Sequence, residues 1–383
     1  MGRNDAVLAS AGIAAAAGIL GFVLHKRFLS GDKYDGLDSA VSYSSRKIAV
    51  FNYDRYPAAA RAMEAEEEAP LVLDPLAAGL AGPKALKSAR ARQQPAPTDS
   101  GRKIKINMMA IRTKWFDDQL EVSLGMPVSK AIQDAKDYVG TTATSGTAPR
   151  QCVVLGAGMD SRPWRLKLPA SLRWFEIDRE DVLQAKEKLL AGVGAEYEIL
   201  SPMHRSTSVN TLLQDKIGRI DHHMVAVQYP LRTYSRQAVA ADLGDPLWTT
   251  ALINAGFDPS KPTIWLAEGL LMYLDPSRVD ELLKELKGMS APGSALLTVS
   301  VTDDVVTSIK TNGTDSDLMS TWQFGCPADP KPWLSGLGWN ASVVATRASL
   351  AKALGLAPEI CGFETDSSSP KNGRSLFIAA SVA

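Results

Sequence analysis

The sequence predicts an α/β protein: a doubly wound, mostly parallel sheet of about seven strands, with a helical preface on its N-terminal side. Three observations predict it. Residues 152–165, CVVLGAGMDSRPWR, carry an apolar, β-rich run into a glycine turn followed at once by an acid. Short β-rich runs then alternate with helical segments, the signature of a parallel sheet covered on both faces. Acids close three of those runs, at the carboxyl edge where open parallel sheets hold ligands.

Element by element, the chain begins with an uncharged run over residues 6–24. As a helix it would span about 28 Å, enough to cross a bilayer. Alanine and glycine dominate it, so it reads either as a single-pass membrane anchor or as an organelle-targeting segment. His25, Lys26 and Arg27 follow, which would keep the soluble body of an anchored chain on the cytosolic or equivalent side. Residues 58–69, AAARAMEAEEEA, favour helix, and 71–82, LVLDPLAAGLAG, form a short apolar segment closing on glycine. Residues 87–103, KSARARQQPAPTDSGRK, read as an exposed linker, with contact to anionic lipid as the sharper alternative. From 104 to 124 helical periodicity returns, with Met108, Ile111, Trp115, Leu120 and Leu124 near one stripe. This divides the chain into an apolar segment (1–28), a helical region (29–150) and a ligand-binding domain (151–383).

The strands after the opening one fall at 173–178 (RWFEID), 237–241 (QAVAA), 263–267 (TIWLA), 294–301 (SALLTVSV) and near Val343 and Phe377. Residues 196–236 are polar and poorly periodic, an insertion between the second and third strands. Forty-two basic side chains balance 42 acidic ones, so no global charge favours nucleic acid as a partner. Cys152, Cys326 and Cys361 are odd in number and widely spaced, which suggests neither a disulfide framework nor a metal site. His204, His222 and His223 lie in the insertion without acids or cysteines at ligand spacing and read as solvated loop residues.

The chemistry gathers at the strand ends. Gly156 and Gly158 permit a sharp turn and close approach to a ligand, but no third glycine appears before Pro163, which favours a nucleoside without phosphates over a pyrophosphate. Asp178 ends the second strand, where a carboxylate can accept both hydroxyls of a ribose or cap the helix over 179–190. Asp242 ends the third, where it can accept an adenine amine while the Leu243 amide serves a ring nitrogen; capping is again the alternative. Glu268 follows the fourth strand between apolar segments, and its burial demands a cation that a charged ligand could provide. Arg162 and Arg165 could attract an anionic acceptor or pair with nearby acids in solvent. Tyr273 could line an acceptor site or pack in the following helix. Glycine turn and three acids together suit S-adenosyl-L-methionine, whose adenosine lacks phosphates and whose methionine end carries an ammonium.

The motifs LGAGMDSRPWRL, WFEID, ADL and AGFDP, then PTIWLAEGLLMYL, with AARAMEAEEEAPLVLDPLA and IRTKWFDD before them and FGCPADPKPWLSGLGW late in the chain, resemble the leucine carboxyl methyltransferase family. The likeness is nearest to its branch of bacterial S-adenosyl-L-methionine-dependent methyltransferases. That resemblance implies a class I methyltransferase-like Rossmann fold and methyl transfer to a carboxylate or hydroxyl of a small molecule or a protein C-terminus. It also implies that Gly156 and Gly158 shape the methionine pocket, Asp178 holds ribose, Asp242 and Leu243 hold adenine, Glu268 faces the methionine end, and Arg112 pairs with the cofactor's carboxylate. Apart from the resemblance, Arg112 would read as a surface helix arginine. Two rival readings are a nicotinamide-dependent oxidoreductase, which the missing third glycine disfavours, and a membrane-tethered binding protein without turnover.

Overall fold

The computed structural model describes residues 45–92, 108–129, 138–139, 149–196, 228–314, 318–356 and 375–382. Residues 6–24, most of the insertion with its three histidines, and 93–103 lie outside the described residues. The opening strand, β1 (Gln151–Leu155), is buried along its whole length because both neighbours are parallel strands, β2 (Arg173–Asp178) and β4 (Thr263–Ala267). β3 (Ser235–Ala240) pairs parallel with β2, and β5 (Ala295–Val301) parallel with β4. Beyond β5 comes β7 (Ser375–Val382), antiparallel to both β5 and β6 (Trp339–Thr346), giving the order β3-β2-β1-β4-β5-β7-β6. Two antiparallel steps return β6 to the direction of β5. The carboxyl end of β6 therefore opens on the same sheet edge as those of β1 to β5.

Alternation along the strands shows why both faces are covered. Val153, Leu155, Phe175, Ile177 and Trp265 point to one core, with Trp248 and Leu252 of α6 (Trp248–Asn254) and Val279, Leu282, Leu283 and Leu286 of α7 (Pro276–Gly288). Cys152, Val154, Trp174, Ile264 and Leu266 point to the other, with Ile111, Trp115, Phe116 and Leu120 of α3 (Met108–Ser123) and Leu350 and Ala351 of α10 (Arg347–Ala353). Between these helices lie the short α4 (Arg162–Arg165), α5 (Glu180–Gly192), α8 (Asp303–Asn312) and α9 (Lys331–Gly336). Cys152 packs, as expected, and burial pushes its thiol well up.

The preface is more helical than its composition suggests. α1 (Ser45–Glu64) starts well before residue 58 and stops at Glu64, whose carboxylate takes the Leu71 amide at 2.8 Å just past Pro70. α2 (Ala77–Arg92) runs from the apolar segment into the expected linker, bending at Gly82 (φ 73°) before Pro83. Ala85, Leu86 and Ala89 bury one side of it, an apolar stripe hidden among the lysines and arginines. α1 and α2 close over Met159 of the β1 turn, Trp164 of α4, and Val182 and Leu190 of α5. β3 likewise begins two residues earlier than its apolar run: Arg236, 2% exposed, is paired at 2.7 Å with both Glu176 and Glu187. Lys186 of α5 joins Glu176 at 2.7 Å, tying α5 to the sheet behind Asp178. Among the described residues no helix is long and apolar enough to cross a membrane.

Candidate functional site

The floor of the site is the turn after β1. Gly156 and Gly158 adopt φ of 63° and 44°, conformations a Cβ resists. A Cβ on Gly156 would also stand 3.2 Å from Cδ1 of Leu270, so the turn and the segment after β4 approach as closely as glycine allows. The amides of Gly156 and Ala157 donate to the Ile177 carbonyl at 2.9 and 3.1 Å, fastening the turn to β2.

Asp178 stands at the tip of β2. Its Oδ2 accepts from the Gly158 amide and its Oδ1 from the Arg179 amide, each at 2.7 Å. It is not the cap of α5, which has Arg179 at its N-cap without a side-chain bond. Burial raises the Asp178 carboxyl, against the two amide bonds that lower it. A carboxylate offers about four lone-pair positions, so about two remain for a diol. At the end of β3, Oδ1 of Asp242 accepts from the Gly244 amide at 2.8 Å, a local turn and not a cap of α6, whose N-cap is Leu247. The neighbouring Leu243 is buried, and its carbonyl accepts from Nε of Arg278 at 2.8 Å, with Arg278 held in turn by Glu285 at 2.7 Å. That loop is set from α7.

Glu268 follows β4, and here the structure corrects the expectation that a ligand supplies its counter-charge. Its Oε1 accepts from Nε of Arg112 at 2.8 Å and its Oε2 from Nη2 of Arg162 at 2.7 Å. Burial would raise the Glu268 carboxyl, but Arg162 and Arg112 outweigh it and hold the group below the usual range. Arg112 is no surface arginine, since its side chain is only 19% exposed. Gly269 (φ 70°) makes room for it: a Cβ there would lie 3.2 Å from Nη1.

Arg162 and Arg165 are buried, contrary to the solvent-exposed pairing the sequence suggests. Arg162 also donates to Asp117 at 2.7 Å and to Asp160, whose carboxyl burial would raise but whose neighbours Arg162, Lys186 and Arg165 bring down to about 2. Arg165 grips both oxygens of Asp117 at 2.6 and 2.8 Å. Arg61 of α1 donates to Asp74 at 2.7 Å and to the Met159 carbonyl at 2.7 Å, and Ser161 donates to the same Asp74. Four guanidinium groups and four carboxylates thus join α1, α3, the β1 turn and the end of β4. Sequence reasoning missed Arg61, Asp74 and Asp117. The available signal was the FDD step inside α3, an acid on a helix face that otherwise buries Trp115 and Phe116.

Tyr273 closes a 3₁₀ turn, Leu271–Tyr273, ahead of α7 and not within it. It lies half-buried against Met272, Val301, Val305, Val306 and Trp322, at the edge between β4 and β5. Arg347, for which the sequence gave no signal, opens α10 directly after β6. Burial first and then the charge of Arg112 bring its guanidinium down to about 10. Among the described residues no group of acids, histidines or cysteines could hold a metal ion.

The model of the leucine carboxyl methyltransferase family matches residues 56–287, ending before the late FGCPADPKPWLSGLGW segment. A protein of Frankia alni, assigned by name to the S-adenosyl-L-methionine-dependent methyltransferases, is 32% identical over 292 residues, covering 75% of this chain and 81% of its own length. A Mycobacterium avium protein of the same assignment is 33% identical over 268 residues, 66% of this chain and 69% of its own. One from Mycobacterium bovis is 31% identical over 330 residues, 81% and 77%. These matches lend no support to the nicotinamide or non-catalytic readings.

Two outcomes follow from the ion network. Asp117→Ala leaves Arg162 and Arg165 without a shared partner and lowers stability by about 3–5 kcal/mol, read from the denaturant midpoint. The Asp160 carboxyl is depressed on folding, so its contribution is complete above an unfolded value of about 3.9 and lost as pH falls through about 2. Near-ultraviolet circular dichroism of the buried tryptophans should collapse as pH falls through that window.

Proposed function

Because this chain belongs to the leucine carboxyl methyltransferase family, we propose that it transfers a methyl group from S-adenosyl-L-methionine to an acceptor oxygen, a carboxylate or hydroxyl, in line with the departing sulfur. The methyl donor and the reaction class, an S-adenosyl-L-methionine-dependent methyltransferase, come with the family. The oxygen acceptor is the further step.

The observation that carries the reading is the acceptor set along one sheet edge: Asp178, Asp242 and Glu268 stand at or just past the ends of β2, β3 and β4, one acid per strand, around a glycine turn open to close approach. That chemistry fits the group. A ribose diol, an exocyclic amine and an ammonium each present donors, and each acid is an acceptor with spare lone pairs. Asp178 would hold the ribose from the β2 tip, Asp242 and the Leu243 amide would read the adenine, and Glu268 would take the ammonium. The unoccupied edge of the Arg112 fork would take the carboxylate, as a planar guanidinium does well.

When bound, S-adenosyl-L-methionine supplies an electrophilic methyl group. The chain's own part is to fix Glu268 and Arg112 through Arg162 before ligand arrives, so that neither group reorganises during transfer. Tyr273, with Met272 and Trp322, would line the acceptor side and exclude water. A carboxylate acceptor carries no proton to remove, so its methylation needs no general base.

Calorimetry should show wild-type protein binding S-adenosyl-L-methionine, with Asp178→Ala at least 10-fold weaker, about 1.4 kcal/mol, and folded as judged by circular dichroism. Binding of a nicotinamide dinucleotide with no heat from S-adenosyl-L-methionine would sink the reading. Transfer of labelled methyl into a cell extract should give products that release labelled methanol in alkali, as methyl esters do; label found only on nitrogen or carbon would rule out the oxygen acceptor.

A further inference from the structure

Arg347 occupies a position unfavourable to a cation on three counts. It is half-buried, so its charge is partly stripped of water. It is the first residue of α10, at the helix end where the backbone's partial charge repels cations. It also feels the positive charge of Arg112. No carboxylate offsets these costs: among the described residues Arg347 forms no hydrogen bond and no ion pair, whereas Arg61, Arg112, Arg162 and Arg165 are each matched by Asp74, Asp117, Asp160 and Glu268. Nor does Arg347 serve the helix start, because Thr346 and Ser349 form a reciprocal capping box there without it.

Its place in the fold gives this surplus charge a meaning. Thr346 ends β6 paired with Leu376, one residue from Ser375, which pairs with Val301 at the end of β5. β6 runs with β5, so Arg347 emerges on the carboxyl edge of the sheet, the edge that carries Asp178, Asp242, Glu268 and Tyr273. α10 packs its Leu350 and Ala351 into the same core as Ile111 and Trp115 of α3, the helix that brings Arg112. Arg347 thus follows β6 on the helix that packs beside α3 and feels the charge of Arg112; Arg112 is committed to Glu268 through Nε, and Arg347 has no partner among the described residues.

We propose that Arg347 is a specificity residue that binds an anionic group, a carboxylate, on the methyl acceptor, so that this enzyme selects acids over neutral acceptors. The assignment rests on the methyltransferase reading above. It follows from the charge of the site: S-adenosyl-L-methionine carries a net positive charge through its sulfonium, and the eight-membered ion network is already neutral. Asp178 and Asp242 stand at the ends of β2 and β3, at the opposite end of the sheet order from β6, so a carboxylate on the acceptor is what supplies Arg347 with a counter-charge.

The test titrates full-length protein saturated with S-adenosylhomocysteine, using acetate, benzoate and octanoate as probes, in wild type, Arg347→Met and Arg347→Lys. At least one carboxylate should bind the wild type, lose 10-fold or more in affinity in Arg347→Met, and recover in part in Arg347→Lys, which keeps the charge but not the fork. S-adenosylhomocysteine itself should bind all three within about 2-fold. Absence of carboxylate binding to the loaded wild type, or equal binding to Arg347→Met, overturns the proposal. So does a 10-fold loss of S-adenosylhomocysteine affinity in Arg347→Met with 5′-methylthioadenosine unaffected, which would assign Arg347 to the donor's own carboxylate. Failure of the wild type to bind S-adenosylhomocysteine at all would instead be the failure of the methyltransferase reading. Circular dichroism confirms folding, and Arg347→Gln replaces the Met variant if that does not fold.

Discussion

Arg162 is 3% exposed and touches three carboxylates that come from three separate places: Asp117 of α3, Asp160 of the β1 turn and Glu268 after β4. A lone buried guanidinium would be prohibitively costly, and so would any of these acids alone. Together they define one arrangement in which each charge has a partner. Shifting α3 by a turn, or letting the β1 turn relax, would strand a charge in a dry interior at several kcal/mol. Replacing such a buried ion set with apolar residues of similar volume is often neutral or stabilising. What the ions provide is a unique register between the preface and the sheet.

The glycine turn and the ion network depend on each other. Gly156 and Gly158 bring the backbone within reach of Ile177 and Asp178, which places Asp160 and Arg162 under α3. Arg61 then reaches across from α1 to the Met159 carbonyl, so the preface closes directly on the ligand turn. The helical preface therefore packs directly against the candidate site. It delivers Arg112, the residue that pairs with the acid after β4 and whose charge reaches Arg347.

Much of this was legible in advance for a simple reason. Strand positions are legible where two-sided burial demands an apolar run, as in β1, β4 and β5, whereas β3 at the sheet edge is only partly buried and starts two residues ahead of its apolar run. The acids at strand ends were legible because the carboxyl edge is set by connectivity alone. Arg236 was misread because a charged residue in a strand argues for an exposed end until Glu176 and Glu187 are found around it. α2 was misread because long cationic side chains conceal an alanine stripe in the composition.

Sequence alone determined the sheet, its glycine turn, the three acids on its edge and the family. Those are properties of local pattern and of order along the chain. Only the tertiary structure decided which charges are matched and which is left over. Glu268 looked like an acid awaiting a ligand and already has two arginines; Arg347 gave no signal in the sequence and has no carboxylate among the described residues. Counter-charges are chosen by proximity across 156 residues of chain between Arg112 and Glu268, and no spacing in the sequence encodes that distance.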